Sequence, residues 1–303
     1  MLIIFVVFLQ SLLFAIFNLN IRKLEEQGVS AHTIAGLQRY AVIPSAMLLL
    51  VTYKHEYLLI LLRNPESFWW IAGIAFFWGI AQYIGYTVIN SASSLSIVST
   101  FSSLIGIPVM VAMGVLINND YPNPLIIVAL MLLVVAIIIK PTQHNENKLH
   151  LLKYSLIMVI SLVFTSNVGH ALDGALYKNL LYVLDSRAVL FGISVYTFVT
   201  SATLGVIYLL PIFRKPSKEE QALVKKHFLV AYSIPVFWFI ASIPEGYSFA
   251  NLPLFTLSAL GAFGFLIKMC SDLTNKRLAW SWRTALFIAI IIASIVFSAL
   301  SLQ

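Results

Sequence analysis

The sequence predicts an all-α membrane protein in which ten transmembrane helices form two inverted five-helix repeats. The 303-residue chain is 60% hydrophobic and 10% charged, and its mean hydropathy is +0.92. Runs such as 125–139 and 286–300 contain no charged residue. A helix rises about 1.5 Å per residue, so roughly 20 apolar residues cross a hydrocarbon core about 30 Å thick. A polar stretch near the middle of the chain separates two groups of five such segments.

The sequence predicts one helix in each of ten apolar runs, which polar stretches separate. The polar stretch at 142–148, after Pro141, divides the chain into a first repeat over 1–145 and a second over 146–303. A second polar stretch lies at 214–220 and interrupts the apolar runs as a loop does. The predicted helices span 2–21, 34–53, 68–89, 95–117, 124–140, 152–171, 188–210, 228–243, 252–270 and 284–302.

The two groups of five segments begin alike. In the first group, Ser30 follows Lys23 by seven residues, and in the second Asp185 follows Lys178 by seven. Ser and Asp are good helix N-caps, so each is predicted to begin the next helix. Because five is odd, the two halves would lie in opposite orientations across the membrane, as in many transporters. The alternative is that any two apolar stretches align loosely.

Composition argues against several other classes of protein. Cys270 is the only cysteine, which excludes a disulfide within the chain and a cysteine-based metal cluster. No nucleotide-binding or hydrolase motif occurs, so we expect neither an enzyme nor a cofactor or metal. The net charge of +7 comes from loop residues that orient the chain in a bilayer, and we expect no nucleic-acid partner. The first apolar run follows Met1 without a basic start, which predicts a retained helix rather than a cleaved signal.

Several strings resemble a known family. They are AsnLeuAsnIleArgLys at 18–23, LeuGlnArgTyr at 37–40, a small-residue string at 90–100 and IleGlyIlePro at 105–108. Together with the ten-helix plan, they make the chain similar to the drug/metabolite transporter superfamily, in its EamA-like branch. It is also similar to the multidrug-resistance-efflux group. The family often has Gly-Glu between helices four and five, where this chain has AsnAsnAspTyr at 118–121. The resemblance implies a central substrate cavity, which the matching positions Asn18 and Gln38 would face.

Helix six carries the clearest polar stripe. Ser166, His170, Asp173 and Tyr177 recur at helical spacing on one face, with Asn167 beside them. Polar side chains inside a membrane usually face the bundle interior or a water-filled path. The stripe therefore predicts a substrate-binding role for Asn167 and His170, and His170 and Asp173 are close enough to share a proton. The alternative places Asp173 and Tyr177 at the interface and makes His170 a satisfied buried donor.

Helix three offers a second candidate lining. Trp78, Gln82 and Tyr86 are spaced four residues apart and share a face. Apolar walls with a few amides suit flat organic substrates, because the walls give affinity and the polar groups fix orientation. The alternative is the ordinary enrichment of Trp and Tyr at membrane interfaces.

Helix eight offers a third candidate lining of the substrate cavity. Trp238, Ser242 and Glu245 recur at i, i+4 and i+7, and Pro235 and Pro244 interrupt the same segment. Proline frees backbone carbonyls, which membrane helices tolerate where they line a cavity. Glu245 is the only carboxylate near this helix, and the alternative makes it an exposed loop residue beyond Pro244.

These patterns predict a multi-pass transporter in the cell membrane that exports small organic molecules or metabolites by alternating access. Transport would be driven by protons or by exchange, with His170, Asp173 and Glu245 as the proton-carrying groups. Its partners would be a small-molecule substrate and the lipid bilayer, and the chain would be a monomer or a homodimer. The alternatives are a non-transporting membrane receptor or assembly protein, and a lipid-modifying membrane enzyme. Scattered His positions disfavour the enzyme.

The two signals for membrane orientation disagree. Lys and Arg are concentrated in the loops after helices one, five, seven and nine. Positive charge stays in the cytoplasm, so this bias predicts that both termini lie outside. The resemblance implies both termini inside.

Overall fold

The computed structural model describes residues 2–63, 71, 73–74, 76–81, 95–139, 156–183, 186–209, 216–276 and 278–302. This described part of the chain is built from helices and contains no strand. A 3₁₀ helix, Gln38–Ala41, joins the second and third helices, and the described residues within 71–81 are also helical. The helices are α1 Leu2–Glu26, α2 Ala31–Leu37, α3 Val42–Thr52, α4 His55–Arg63, α5 Leu95–Asn118, α6 Pro124–Ile139, α7 Leu156–Val183, α8 Ser186–Leu209, α9 Lys218–Lys226, α10 Phe228–Asn251, α11 Leu254–Leu260, α12 Ala262–Thr274 and α13 Trp282–Leu300.

Six stretches of helix within the described residues are long and apolar enough to cross a membrane. Two shorter apolar helices, Gly106–Asn118 and Pro124–Ala136, lie between them in sequence. The all-helical class is therefore confirmed, and six helices long and apolar enough to cross a bilayer support a membrane protein. The six candidate spans are Leu2–Glu26, Ala31–Thr52, Arg187–Val206, Phe228–Asn251, Leu254–Thr274 and Trp282–Leu300.

Most predicted helices are present, but several of their bounds were wrong. The first continues to Glu26 rather than residue 21, and the sixth to Val183 rather than 171. The eighth continues through Pro244 to Asn251, because a membrane helix tolerates the hydrogen bond that proline removes. The ninth is divided at Gly261, and α4 and α9 are additional short helices. The predicted helix 68–89 lies largely outside the described residues.

The start of α2 follows the predicted cap. The Ser30 hydroxyl accepts a hydrogen bond from the Thr33 backbone N–H at 3.3 Å, so the helix begins at Ala31, three residues before the predicted start. Such a bond satisfies one of the free N–H groups at a helix start. The N-cap at Ser30 is thus confirmed, whereas Asp185, the matching residue of the second half, lies outside the described residues.

Helix pairs from distant parts of the chain form the core. The main contacts join α1 to α10, α5 to α7, α3 to α8 and α6 to α13. In the last pair, the buried Ser294 hydroxyl donates to the Ala129 carbonyl at 2.8 Å. Side chains on the other face of α6, such as Met131 and Ile138, are exposed, as expected where a helix meets lipid.

Candidate functional site

A cavity of about 230 Å³ lies among α1, α5, α7, α10, α11 and α12. Small residues leave room for it. A side chain at Gly106 of α5 would place its Cβ 3.3 Å from Nδ2 of Asn167 on α7. Gly261 separates α11 from α12, and its N–H donates to the Leu257 carbonyl at 2.7 Å. The polar residues that line the cavity are Gln10, Ser11, Ser166, Asn167, His170 and Ser258, and aromatic rings come from Phe249 and Phe265.

The polar lining consists of three serine hydroxyls, two side-chain amides and one imidazole. Asn167 donates one N–H of Nδ2 to the Val163 carbonyl at 2.6 Å, which leaves its second N–H and its Oδ1 for other partners. Oε1 of Gln10 is buried and accepts no hydrogen bond from the described residues. A buried acceptor without a donor costs free energy.

His170 occupies the centre of an aromatic and acidic group. Its ring meets the edge of Trp78 at 4.5 Å between centroids and stacks on Phe249 at 5.1 Å. Its Nδ1 lies 4.0 Å from Oε1 of Glu245, just beyond hydrogen-bonding distance, and makes no hydrogen bond with the described residues. Glu245 is 3% exposed. The alternative that made Glu245 an exposed loop residue is therefore wrong, because α10 continues past Pro244.

Four of the predicted site residues come together here. Asn167 and His170 line the cavity, Trp78 contacts His170, and Glu245 lies 4.0 Å from His170. Ser166, from the same helix-six stripe, lines it as well. Of the remaining predictions, Gln82, Tyr86 and the side chain of Asp173 lie outside the described residues.

The other predicted residues lie elsewhere in the bundle. Trp238 is buried near Tyr196, with ring centroids 6.2 Å apart, and Ser242 donates to the Trp238 carbonyl. Gln38 is completely buried in the 3₁₀ helix, and neither atom of its amide bonds to a described residue. Asn18 is partly buried in α1. None of these four is among the described residues that line the cavity.

Sequence reasoning missed half of the polar lining. Gln10, Ser11 and Ser258 were not singled out, and neither were Phe249 and Phe265. A glutamine followed by a serine inside the strongly apolar first helix was an available signal. Nothing in the sequence distinguished the two phenylalanines, because the chain contains 21 of them.

An acidic residue joins helices at one end of the bundle. Oδ1 of Asp120, just after α5, lies 2.7 Å from Nζ of Lys178 on α7. Its Oδ2 accepts the Leu254 N–H, the first of α11, at 3.1 Å. A carboxylate is favoured at a helix start, where free N–H groups and the helix dipole attract negative charge. We refer to Asp120, Lys178 and Leu254 as the Asp120 clamp.

A second carboxylate also joins helices, but here the carboxylate belongs to 146–303 and the helix start belongs to 1–145. Glu220 of α9 accepts the Ser30 N–H before α2 at 3.2 Å and the Ser217 N–H at 2.9 Å. Ser217 and Glu220 form a capping box that begins α9. We refer to Glu220, Ser30 and Ser217 as the Glu220 clamp.

An aromatic cluster adjoins the Glu220 clamp. The Arg39 guanidinium lies 5.0 Å from the ring centroid of Tyr40 and 4.8 Å from that of Tyr208. Tyr208 also stacks on His32, and Tyr40 packs against Tyr232 of α10. These contacts connect the second predicted helix of the chain to α8 and α10.

The two clamps lie at opposite ends of α8. Gly36 of α2 contacts the Tyr208 ring near the end of α8, and α2 begins at the Glu220 clamp. At the other end, Arg187 donates to the Val51 carbonyl of α3 at 2.9 Å, and α8 begins three residues after the end of α7, which carries Lys178. Because α8 has 24 residues, the two ends are about 36 Å apart.

Comparison with known proteins supports the fold and names no function. No protein-family model matches the chain, and no curated protein matches it. Twenty-three chains of solved structures match. One is a crystal structure of a protein that is 13% identical, with a TM-score of 0.66 over 99% of this chain and 96% of that chain. At this identity the likeness shows a shared fold alone, and it extends over nearly the full length of both chains.

Proposed function

We propose that this chain is a multi-pass membrane carrier that exports small organic molecules or metabolites by alternating access, as expected for an EamA-like drug/metabolite transporter. One observation carries the proposal: a polar-lined cavity lies among apolar helices drawn from both halves of the chain. Binding at the interface of two halves is the usual arrangement in such carriers, because rocking of one half against the other exposes the site to each side in turn.

Ten helices in two inverted halves, 1–145 and 146–303, account for the observed packing. In this scheme α1 corresponds to α7, α2–α3 to α8, α5 to α11–α12, and α6 to α13. If the two halves are exchanged, the contact between α5 and α7 corresponds to the contact between α12 and α1. Both contacts are present. The pairs α3 with α8 and α6 with α13 map onto themselves, and both occur too.

The ends of corresponding helices also agree. The residues after α5 and α12 include one non-glycine residue each in the left-handed region, Asn119 with φ 53° and Lys276 with φ 55°. Such a residue commonly ends a helix and redirects the chain. In the scheme, these two turns connect helix four to five and helix nine to ten.

The clamps support alternating access. Each connects a carboxylate of one half to a helix start of the other, Asp120 to α11 and Glu220 to α2. They lie at opposite ends of the bundle, so release of one would open the cavity toward one side while the other stays closed. Such two-state contacts are what a rocking mechanism needs.

The size of the cavity indicates a small substrate. The volume of the cavity is about 230 Å³. Drug-sized ligands usually occupy pockets of about 300–1,000 Å³. The volume of the cavity therefore favours small metabolites over large drug molecules.

Flux through reconstituted protein tests the proposal. Small metabolites would be screened by thermal shift on the purified chain, and those that stabilise it would be radiolabelled and followed into proteoliposomes. Ser258→Trp should fill the cavity and abolish both binding and flux. Val296→Trp, on a face of α13 that is 49% exposed at this residue, should leave both unchanged.

Each alternative function predicts a different result in these binding and flux experiments. Binding that Ser258→Trp abolishes, without flux of any bound compound, would instead support a receptor or assembly protein. Chemical conversion of a vesicle lipid would support a membrane enzyme.

A further inference from the structure

The short helix α9 has two chemically different faces. Glu220, Leu223 and Val224 share the inner face, where Glu220 belongs to the Glu220 clamp and the two aliphatic side chains pack against the hydrophobic core. Lys218 and Lys225 are two turns apart on the opposite face, and both are exposed. The helix therefore joins the bundle through one side and presents positive charge on the other.

The exposed side of α9 carries a net positive charge. Lys226, next to Lys225, is exposed as well. None of the three lysines forms an ion pair with another described residue. Glu219 is the one exposed carboxylate of this helix, because Glu220 is held in its clamp. We refer to Lys218, Lys225 and Lys226 as the α9 lysine surface.

The α9 lysine surface lies close to the start of a candidate membrane span. The span Phe228–Asn251 begins two residues after Lys226. Its first side chains, Phe228 and Leu229, are exposed apolar groups, as expected where a helix meets lipid. Three residues of chain extend over at most about 11 Å, and each headgroup layer of a bilayer is about 5–8 Å thick. The lysine ammonium groups, on long flexible stems, therefore reach the level of the headgroups.

A phospholipid fits this arrangement better than a soluble anion does. A free phosphate would meet only the positive charge of the lysines. An anionic phospholipid would place its phosphate against the lysines and its acyl chains against the exposed Phe228 and Leu229. Both parts of the lipid thus have a matching surface on the same short stretch of chain.

We propose that the α9 lysine surface binds the headgroups of anionic phospholipids and so keeps the Glu220 clamp closed. The headgroups hold the outer face of α9 at the membrane surface. This positions Glu220, on the inner face, for its 3.2 Å hydrogen bond with the Ser30 N–H. The effect on the clamp as a gate rests on the proposed function, whereas the binding of headgroups does not.

A lipid titration of the purified chain tests the binding. Gln221→Cys, at an exposed position of α9, carries an environment-sensitive fluorophore in a Cys270→Ser background, and its micelles are titrated with phosphatidylglycerol or phosphatidylcholine. We expect a saturable response to phosphatidylglycerol alone. Lys225→Gln with Lys226→Gln should weaken it about 25-fold, since each lysine near an anionic surface contributes about fivefold. An equal response to both lipids, or to inorganic phosphate, would overturn the inference.

Two further charge variants separate this surface from a general effect of net charge. Glu219→Gln removes the negative charge beside the lysines and should tighten binding about fivefold. Arg63→Gln removes an exposed cation of α4, at the opposite end of the bundle, and should leave binding unchanged. Weakening by Arg63→Gln as large as that by the double lysine variant would contradict the assignment to α9.

Proteoliposomes test the effect on the clamp. A cysteine at Ser166, in the same Cys270→Ser background, is labelled from the side of the Glu220 clamp with an uncharged polyethylene glycol maleimide. Labelling should be slower in vesicles of phosphatidylcholine with about one-fifth phosphatidylglycerol than in phosphatidylcholine alone. The double lysine variant and Glu220→Gln should both lose this difference. Equal labelling of the parent chain in the two kinds of vesicle would overturn the coupling to the clamp.

The two proposals can fail separately. If phosphatidylglycerol binds α9 but no compound crosses the vesicle membrane, the carrier function fails and the lipid-binding surface stands. If compounds are transported but both lipids bind α9 alike, the lipid-binding surface fails and the carrier function stands.

Discussion

Oδ1 of Asp120 and Nζ of Lys178 lie 2.7 Å apart, and this pair joins the end of α5 to the end of α7. The second carboxylate oxygen of Asp120 is bound to the start of α11, so one side chain connects three helices at a single end of the bundle. At the other end, Glu220 binds the residue that caps α2. The two clamps therefore use the same chemistry with the halves exchanged.

Weakening each clamp should shift the carrier in opposite directions. Asp120→Asn removes the ion pair with Lys178 and weakens the bond to α11, at a cost of about 1–3 kcal/mol to the state closed at that end. Glu220→Gln should do the same at its own end. A reporter cysteine at Ser166, with Cys270→Ser to remove the native thiol, can be labelled by an impermeant maleimide from either side of a vesicle.

We expect Asp120→Asn to increase labelling from the side of the Asp120 clamp and Glu220→Gln from the side of the Glu220 clamp. Lys178→Gln is the matched control and should act in the same direction as Asp120→Asn. Changes of the same sign in both clamp variants would contradict the assignment of the clamps to opposite gates.

Two glycine substitutions should have opposite effects on stability. A Cβ at Gly36 would collide with the Tyr208 ring, so Gly36→Ala should displace Tyr208 from Arg39 and His32 and lower stability by about 1–3 kcal/mol. Apart from its chain neighbours and the local backbone of α12, no described atom lies within 4 Å of a Cβ built at Gly264. Gly264→Ala should therefore stabilise α12 by about 0.5–1 kcal/mol.

Thermal unfolding in one detergent measures both glycine variants against the parent chain. Tyr208→Ala in the Gly36→Ala background should recover part of the loss that comes from the collision. Equal stability of Gly36→Ala and the parent would show that the Tyr208 contact is not tight.

Proton coupling can be tested on the helix-six stripe. His170→Ala combined with Asp173→Asn should abolish proton-coupled flux while membrane insertion stays intact, because titratable groups are scarce in the core. The measurement is the initial rate of flux between about pH 5 and pH 8, the range in which an ordinary histidine titrates. An unchanged pH profile in the double variant would end the proton-relay hypothesis.

A single reporter fusion can determine on which side of the membrane the termini lie. The Lys and Arg bias of the loops favours both termini outside, whereas the resemblance to EamA-like transporters favours both inside. A reporter that is active only in the cytoplasm, fused after Gln303, should stay silent if the charge bias decides. Strong reporter activity would favour the orientation of the family, and a fusion in the α9 loop should then give the opposite signal.

Local sequence patterns determined where the helices lie and part of what they carry. Apolar runs identified the segments, because a chain in lipid must satisfy its backbone hydrogen bonds within each helix. Ser30 identified the start of α2, because its hydroxyl can bond an N–H three residues on. The spacing of Ser166, Asn167 and His170 placed them on neighbouring parts of one helix, and all three line the cavity.

Only the tertiary structure decided which helices meet around that stripe. Gln10, Ser258 and Phe249 reach the same cavity from positions far apart in the chain, and no pattern within a segment records such contacts. Glu245 required the structure as well, because α10 continues through Pro244 and brings the carboxylate to His170. A helix is specified by neighbours three or four residues apart, whereas a cavity is specified by packing between helices. Packing depends on the shapes of side chains whose partners the order of the sequence does not reveal.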